Sequence, residues 1–305
     1  MAVSSVFEGA LVLTGPTASG KSSLAVELAE HLDMEIISAD SVQVYRGMDI
    51  GSAKASPSIL KAIPHHLVGI REPSEIYSVA EFQRDILELV PQIQERGRLP
   101  VIVGGTMLYL KALKQGLAEL PQADQVIRQE INQLAAKQGW EAVHYQLSRV
   151  DPDSARRIKP NDSQRLQRAM EVYRIAGSTM TELLKNTTST LPFPLKEIGI
   201  MPSDRAKLHK SISDRFHVML ELGFVEEVSA LRSNPENHRG LPAIRAAGYR
   251  QIWSYLEDEM DYEDMVRTSI SATRQLAKRQ YTWLRKWESM IFLDTPNLGE
   301  VLKII

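Results

Sequence analysis

The sequence predicts an α/β protein whose core is a P-loop-type parallel sheet with helices on both faces, together with a helical insertion domain. Three observations lead to this prediction. Short apolar runs alternate with amphipathic stretches in the N-terminal part, a glycine-rich motif follows the first apolar run, and the strand pattern is absent from about residue 117 to residue 184. Strands separated by helices imply right-handed crossovers, which make the sheet parallel and cover both of its faces.

Each element of the core follows from its own pattern. Short apolar runs predict buried strands at residues 11–14, 35–38, 99–103 and 197–201. Amphipathic stretches predict helices at residues 22–32, 79–95, 204–222, 224–231, 244–256 and 262–287. A stretch rich in Thr, Ser and Pro at residues 186–194 is typical of a linker.

The segment between residues 117 and 184 has only helix-like patterns. One helix is predicted at residues 124–138, with an acidic N-cap candidate, and another at residues 163–176, which Gly177 ends. We therefore predict a core domain of residues 1–116 and 190–305, and a helical insertion domain of residues 117–189.

Composition excludes several classes of function. The 305 residues include 36 basic and 38 acidic side chains, so net charge does not indicate a polyanionic partner. The absence of cysteine excludes disulfides, a thiol nucleophile and thiolate zinc sites, and it is compatible with a reducing compartment. No signal peptide pattern and no apolar run of ~20 residues is present. We expect a cytoplasmic protein without membrane contact, and nothing requires more than a monomer.

A complete phosphate-loop motif, G-x-x-x-x-G-K-[ST], lies between the first predicted strand and the first predicted helix. Its residues are Gly15, Pro16, Thr17, Ala18, Ser19, Gly20, Lys21 and Ser22. Glycines allow successive backbone N–H groups and the positive helix end to face phosphate oxygens, and Lys21 adds a full charge. Ser22 is placed to bind a Mg²⁺ ion shared with the phosphates. The motif predicts a diphosphate or triphosphate ligand, and an accidental glycine turn is the disfavoured alternative.

The residues around this motif differ from those of ordinary NTPases. In those enzymes a second strand ends in an Asp that helps to hold magnesium, whereas the strand at 99–103 is followed by Gly104, Gly105 and Thr106. Asp40 directly follows the second strand, at the carboxyl edge where open α/β sheets bind ligands. Asp40 is therefore a candidate functional carboxylate, and a loop-capping role is the alternative.

The sequence resembles the bacterial tRNA dimethylallyltransferase (isopentenyl-tRNA transferase) family through nearly its whole length. The stretches that carry the resemblance are residues 15–22, 40–51 (DSVQVYRGMDIG), 103–109 (VGGTMLY), 161–166 (NDSQRL), 248–251 (GYRQ) and 273–280 (TRQLAKRQ). The resemblance implies transfer of the five-carbon unit of dimethylallyl diphosphate to the exocyclic amine of the adenosine 3′ to the anticodon. It implies that residues 15–22 hold the donor diphosphate.

This chemistry explains the residue types. The departing diphosphate requires positioned cations and donors, for which Lys21, Thr106 and Mg²⁺ on Ser22 are suited, and Arg215 matches a phosphate-contacting arginine of the family. Without the resemblance, Arg215 is equally well explained as a solvated helix residue. The amine of adenine must lose a proton as it attacks, and Asp40 is the candidate general base.

The target base lies in a loop of the tRNA anticodon stem-loop, where a protein can splay it out and read its edge. By resemblance, the residues assigned to tRNA contact are Asp40, Ser41, Val42, Gln43, Thr106, Arg128, Gln164, Arg165, Leu166, Gln167, Arg168, Arg245, Ala246, Ala247, Gly248, Tyr249 and Arg250. On a helical wheel, the basic residues of the last long helix share one side, and they are Arg274, Lys278, Arg279, Arg285 and Lys286. Leu276, Trp283, Leu284 and Trp287 lie opposite and are expected to be core. A merely solvated basic face is the alternative.

A second basic cluster lies in the insertion and consists of Arg156, Arg157, Lys159, Arg165 and Arg168. We expect the two clusters to flank the anticodon stem-loop. The main alternative function is a nucleotide or small-molecule kinase, which the missing strand-end Asp disfavours. A non-catalytic RNA-binding module is the third possibility, and it leaves the intact phosphate loop unexplained.

Overall fold

The structure, a computed structural model, describes residues 8–185 and 191–305. The described residues form a six-stranded sheet in which every strand pair is parallel, as the sequence predicts. Its strands are β1 Ala10–Thr14, β2 Met34–Ser38, β3 His65–His66, β4 Leu99–Gly104, β5 Leu195–Ile200 and β6 Ile291–Leu293. Their order across the sheet is β3-β2-β4-β1-β5-β6.

Helices connect the strands and make up the rest of the regular structure. They are α1 Lys21–Ala29, α2 Pro57–Ala62, α3 Val79–Glu95, α4 Met107–Gln115, α5 Gln125–Val150, α6 Pro152–Arg157, α7 Ser163–Ala176, α8 Met180–Lys185, α9 Arg205–Glu221, α10 Phe224–Arg232, α11 Tyr249–Tyr255, α12 Tyr262–Leu284 and α13 Leu298–Ile304. None of the helices in the described part of the chain has both the length and the apolar character needed to cross a membrane.

The chain divides into two compact units, residues 1–110 with 192–305, and residues 111–191. The second unit contains only helices among its described residues, and its core includes Ile131, Val143, Leu147 and Leu166. Its longest helix, α5, continues to Val150 beyond the predicted end, with a break at Gly139, where φ is +80°. A contact of this unit with tRNA stays a prediction.

The sheet of the first unit explains why its central strands are mostly apolar. Strand β1 is buried along its whole length and pairs with β4 on one side and β5 on the other. Successive residues of a strand point to opposite faces of the sheet. Because helices cover both faces of a parallel sheet, Leu11 and Val12 are both buried. The carboxyl ends of β1, β2 and β4 meet at one edge, so the loops that follow them lie together.

The predicted strands are confirmed, and two short edge strands were not predicted. Strands β3 and β6 have two and three residues, too few for a hydrophobic period to be recognised. The helix predicted at 244–256 is shorter than expected and begins at Tyr249, because Gly248, with φ +88°, is outside the helical region. Most of the linker predicted at 186–194 lies outside the described residues.

Candidate active site

The phosphate loop has a backbone shape that few sequences can adopt. Ala18 and Gly20 have φ of +63° and +87°, and a Cβ on Gly15 would lie 2.5 Å from the carbonyl oxygen of Ile200. Gly20 is the N-cap of α1 and has no side chain, so no capping oxygen competes for the first N–H groups of that helix. The loop and the helix end therefore present an anion-binding surface.

Two side chains of the phosphate loop, those of Ser19 and Thr17, differ in their hydrogen-bond partners. Ser19 is buried, and its Oγ has no hydrogen-bond partner in the part of the chain that the structure describes. An orphaned buried hydroxyl is costly unless a ligand or water satisfies it. The Oγ1 of Thr17 accepts a hydrogen bond from Arg215, which comes from α9. The arginine assigned to the diphosphate is thus attached to the phosphate loop.

Positive charge is concentrated beside the loop. Burial lowers the pKa of Lys21 to about 8; the carboxylate of Asp40 raises this pKa and the positive charge of Arg215 lowers it further. Burial also lowers the pKa of Arg215, against the attraction of Asp40. Two partly desolvated cations beside one carboxylate form a site that gains from binding a further anion.

Asp40 lies two residues after the end of β2, and its carboxylate accepts hydrogen bonds from the backbone that follows it. Its Oδ1 accepts the backbone N–H groups of Val42 at 2.9 Å and Gln43 at 3.4 Å. These bonds are the loop cap that was the alternative explanation for this residue. They use one carboxylate oxygen, so Oδ2 is the atom that can accept a proton from a substrate.

The side chain of Gln43 is held in one orientation by its neighbours. Its Oε1 accepts a bond from the Ser38 hydroxyl at 2.9 Å, and its Nε2 donates to the carbonyls of Ser52 at 3.2 Å and Ala53 at 3.3 Å. The amide therefore ties the start of the loop after β2 to the turn at residues 52–53.

The Gly104-Gly105-Thr106 sequence packs against the backbone around Asp40. A Cβ on Gly104 would lie 2.1 Å from the carbonyl oxygen of Ala39, a distance that no side chain permits. Thr106 donates its N–H to that same carbonyl at 3.1 Å and accepts the N–H of Ser41 at 3.0 Å. The end of β4 thus holds both neighbours of Asp40 in the chain.

A cavity of about 640 Å³ joins these groups. Its polar lining includes Thr17, Lys21, Ser22, Asp40, Ser41, Gln43, Thr106, Arg215 and Arg279, and Val42 lies among them. Its apolar lining includes Val26, Ile36, Phe216, Met219, Phe224, Leu276 and Trp283. These apolar residues were not among the predicted site residues, and Leu276 and Trp283 were expected to be core. A helical wheel identifies the apolar side of α12, but it does not show that some residues of this side border a cavity.

The basic residues of α12 are mostly accessible. Lys278, Arg279 and Arg285 are exposed. Arg274 is half-buried, and its Nε has no partner among the described residues. The three exposed side chains are therefore accessible to a polyanion, whereas the Nε of Arg274 is itself buried.

The segment at residues 245–250 differs along its length. Arg245 and Arg250 are exposed, and Ala246 and Ala247 line the cavity. Gly248 and Tyr249 are buried, Tyr249 also borders the cavity, and its hydroxyl donates to Glu227 at 2.7 Å. Neither residue is exposed on the outer surface, and their contact with tRNA stays a prediction.

In the second unit, several predicted tRNA contacts have protein partners. Arg128 and Arg168 both bind the fully buried carboxylate of Glu171, at 2.8 Å and 2.7 Å. Gln164 and Arg165 are exposed, and Gln167 donates to Asn132 at 2.7 Å. The side chain of Leu166 is fully buried in the core of this unit, so it cannot make the contact that was expected of it.

A magnesium ion fits this site only in the way that phosphate loops bind it. Ser22 is exposed in the first turn of α1, where its hydroxyl can serve as one oxygen ligand. Within residues 8–185 and 191–305, no three His, Asp or Glu side chains are grouped in a way that suits a metal ion. The ion's other ligands would therefore be water and diphosphate oxygens.

Comparison with known proteins places these features in a family. Residues 43–287 match the family described as IPP transferase. The tRNA isopentenylpyrophosphate transferase of Bacillus halodurans is 36% identical, with 97% of this chain and 94% of that chain covered and a TM-score of 0.69. The tRNA delta(2)-isopentenylpyrophosphate transferase of Staphylococcus epidermidis is 30% identical, with 96% and 95% covered and a TM-score of 0.67. A eukaryotic dimethylallyltransferase acting on tRNA is 27% identical, with 96% and 75% covered and a TM-score of 0.79.

Proposed function

The chain belongs to the IPP transferase family, and we propose that it is the enzyme that transfers a dimethylallyl group from dimethylallyl diphosphate to the N6 amine of the adenosine 3′ to the anticodon of tRNA. One observation carries this proposal. A single cavity is lined by Thr17, Lys21 and Ser22 of the phosphate-loop motif and by Asp40, which follow different strands of the sheet, and its remaining wall is largely apolar. Such a cavity suits a donor with a charged end and a hydrocarbon end beside an acceptor that must lose a proton.

The departing diphosphate is received by the loop at residues 15–22. The bond between the allylic carbon and oxygen breaks, and the electron pair stays with the diphosphate. Backbone N–H groups of the loop, Lys21 and Arg215 stabilise the developing charge because they are already in place when it forms. Thr106 also lines the cavity and can donate to the reacting groups. Mg²⁺ on Ser22 would supply further neutralisation of the diphosphate when bound.

The acceptor amine is activated by Asp40, which borders the same cavity. As N6 forms its bond to the allylic carbon, one N6 proton passes to Oδ2 of Asp40 and later to water. The other oxygen of Asp40 keeps its bonds to Val42 and Gln43, so the carboxylate does not reorient during the step.

The apolar wall protects the allylic group from water. Phe216, Leu276 and Trp283 border the cavity between the polar groups. An aromatic face also attracts the positive charge that develops on an allylic carbon as its bond to oxygen lengthens. Excluding water matters because water would compete with the amine for the same carbon.

The tRNA is the partner that the basic face of α12 favours. Lys278, Arg279 and Arg285 are exposed on one helix, and Arg279 also borders the cavity. Cations at this position can neutralise backbone phosphates next to the extruded base. We propose that the protein binds one tRNA as a monomer, which size-exclusion chromatography with light scattering would test.

A transfer assay with two labelled donors tests this function against its main alternative. The protein is incubated with Mg²⁺, unmodified tRNA and either dimethylallyl diphosphate labelled in its carbon chain or ATP labelled in its γ-phosphate. We expect label in tRNA from the first donor only. Phosphate transfer from ATP would instead support a kinase, and tRNA binding without either transfer would support a binding module.

A further inference from the structure

The buried side-chain amide of Gln280, on α12, connects two loops of the active site. Its Oε1 accepts the N–H of Thr17 at 2.8 Å, and its Nε2 donates to the carbonyl of Gly105 at 2.8 Å. Only 6% of the residue is exposed. Both ends of a buried amide are thus used, one on the phosphate loop and the other on the loop after β4.

The backbone at Gly105 is shaped to receive this amide. A Cβ at Gly105 would lie 2.4 Å from the Nε2 of Gln280 and 3.2 Å from the carbonyl oxygen of Gly15. Any larger residue would push the amide away or separate the two loops. The second glycine of the Gly104-Gly105-Thr106 sequence therefore has a specific role, which is to let these three segments meet.

The connection continues from Gly105 to Asp40. The next residue, Thr106, bonds to the backbone of Ala39 and of Ser41, on either side of Asp40. A continuous path of short contacts therefore runs from the phosphate loop, through one glutamine amide, to the carboxylate that accepts the proton. The sheet pairing of β1 with β4 ends at Thr14 and Gly104, so it does not continue into the two loops that follow.

We propose that Gln280 is a positioning residue that fixes the distance between the leaving-group site and Asp40, and thereby couples diphosphate release to transfer onto tRNA. This inference rests on the proposed function. If the spacing is lost, the donor can still ionise on the phosphate loop, but the amine is no longer aligned with the allylic carbon. Water then attacks that carbon, forming dimethylallyl alcohol and a proton, and diphosphate is released without modification of tRNA.

The polarity of the amide is essential to this role. It must accept a bond at one end and donate one at the other. In Gln280→Glu, a carboxylate keeps the acceptor for Thr17 but faces the Gly105 carbonyl with a second acceptor. In Gln280→Met, both bonds are lost with little change of shape.

The experiment measures two products in the same reaction, the diphosphate released and the dimethylallyl group incorporated into tRNA. Their ratio is near one if the wild type couples the two events. For Gln280→Glu and Gln280→Met we expect transfer to fall by about 100-fold, the effect of misplacing reacting groups by ~1 Å. Diphosphate release should fall by no more than about tenfold, so the ratio of diphosphate released to dimethylallyl incorporated rises by about tenfold or more. Gln92→Glu, an exposed change on α3, is the control and should leave the ratio unchanged.

A further variant reaches the same contact without altering the glutamine. Gly105→Ala places a methyl group against the Nε2 of Gln280 and should also raise the ratio of diphosphate released to dimethylallyl incorporated. If Gln280 is only structural, variants lose folded protein, both products fall in proportion, and the ratio stays at the wild-type value. That result, or unchanged transfer, overturns the inference. Failure of the wild type to label tRNA at all would instead overturn the proposed function.

Discussion

Asp40 has two roles, a cap on its loop and the proposed general base, and substitutions can separate them. Its Oδ1 caps the loop by accepting the N–H groups of Val42 and Gln43, and its Oδ2 is the proposed base. Asn retains an acceptor for the cap but cannot take the proton, whereas Ala removes both. We therefore expect Asp40→Asn to reduce single-turnover transfer by about 10²–10⁴-fold with tRNA affinity and Tm close to wild type.

Asp40→Ala provides the comparison. It should lose transfer to a similar degree and keep most of its tRNA affinity, with a lower Tm because the cap is also gone. Near-normal turnover in either variant would exclude Asp40 as the base, and normal stability of the alanine variant would mean that the cap contributes little.

Lys21 gives donor binding a pH dependence. Burial lowers its pKa to about 8, and a diphosphate is bound best by the protonated amine. The amine is charged below this pKa and loses its proton as the pH rises through it. We expect the KM for dimethylallyl diphosphate, measured at saturating tRNA, to be flat below pH 8 and to increase above it. Lys21→Met should have a high KM with no such increase, and a flat wild-type profile would show that this charge is not used.

The polar residues near the phosphate loop and Asp40 were predictable because each acts within a few residues of one strand end. Gln280 and Phe216 were not, because they reach the site from α12 and α9, far along the chain. Gln280 ends a stretch that carries the family resemblance and Phe216 adjoins Arg215, but the local pattern of each is a helix with polar and apolar faces and does not show its contacts. Which neighbour each face meets is decided by tertiary packing.

At the scale of an element, Glu227 of α10 holds the turn after the loop that contains Asp40. Its carboxylate accepts the N–H groups of Asp49, Ile50 and Gly51 at 2.8, 2.6 and 3.1 Å, as well as the Tyr249 hydroxyl. In Glu227→Gln an NH₂ group would face these donors. We expect the free energy of unfolding to decrease by about 1–3 kcal/mol, which would be measured as a lower Tm. Glu226→Gln, at the exposed neighbouring residue, is the control. Equal Tm values for the two variants would contradict a stabilising role of the Glu227 carboxylate.

The basic face of α12 should control the salt dependence of tRNA binding. Lys278 and Arg285 are exposed, and each neutralised phosphate adds about 0.7–0.9 to the slope of log K against log salt. The double variant Lys278→Ala, Arg285→Ala should therefore weaken binding and reduce this slope by about 1.5. Filter binding at several salt concentrations measures it, with exposed Lys303→Ala on α13 as control. An unchanged slope would mean that the face is merely solvated.

Most elements could be predicted, and the exceptions have local causes. The central strands are buried over their whole length and mostly apolar because both faces of the sheet are covered, which makes them easy to recognise. Strands β3 and β6 depend on pairing at the sheet edges and have no pattern of their own. The start of α11 depends on the positive φ of Gly248, which a hydrophobic pattern does not encode.

At the scale of the whole molecule, the arrangement of a parallel sheet with a helical unit followed from the order of the patterns along the chain. The roles of charges were harder to predict. Arg128 and Arg168 look like free cations in the sequence, yet both pair with Glu171 inside the second unit. A buried carboxylate needs such partners, and a sequence does not reveal which arginines provide them.

The central claim is that one cavity receives the donor diphosphate on the phosphate loop and the acceptor amine at Asp40. A crystal structure of the protein with a non-transferable analogue of dimethylallyl diphosphate and an anticodon stem-loop tests it most directly. We predict diphosphate oxygens on the N–H groups of residues 15–21, and the N6 atom about 2.6–3.2 Å from Oδ2 of Asp40. A diphosphate bound elsewhere, or an adenine outside the cavity, would contradict the account.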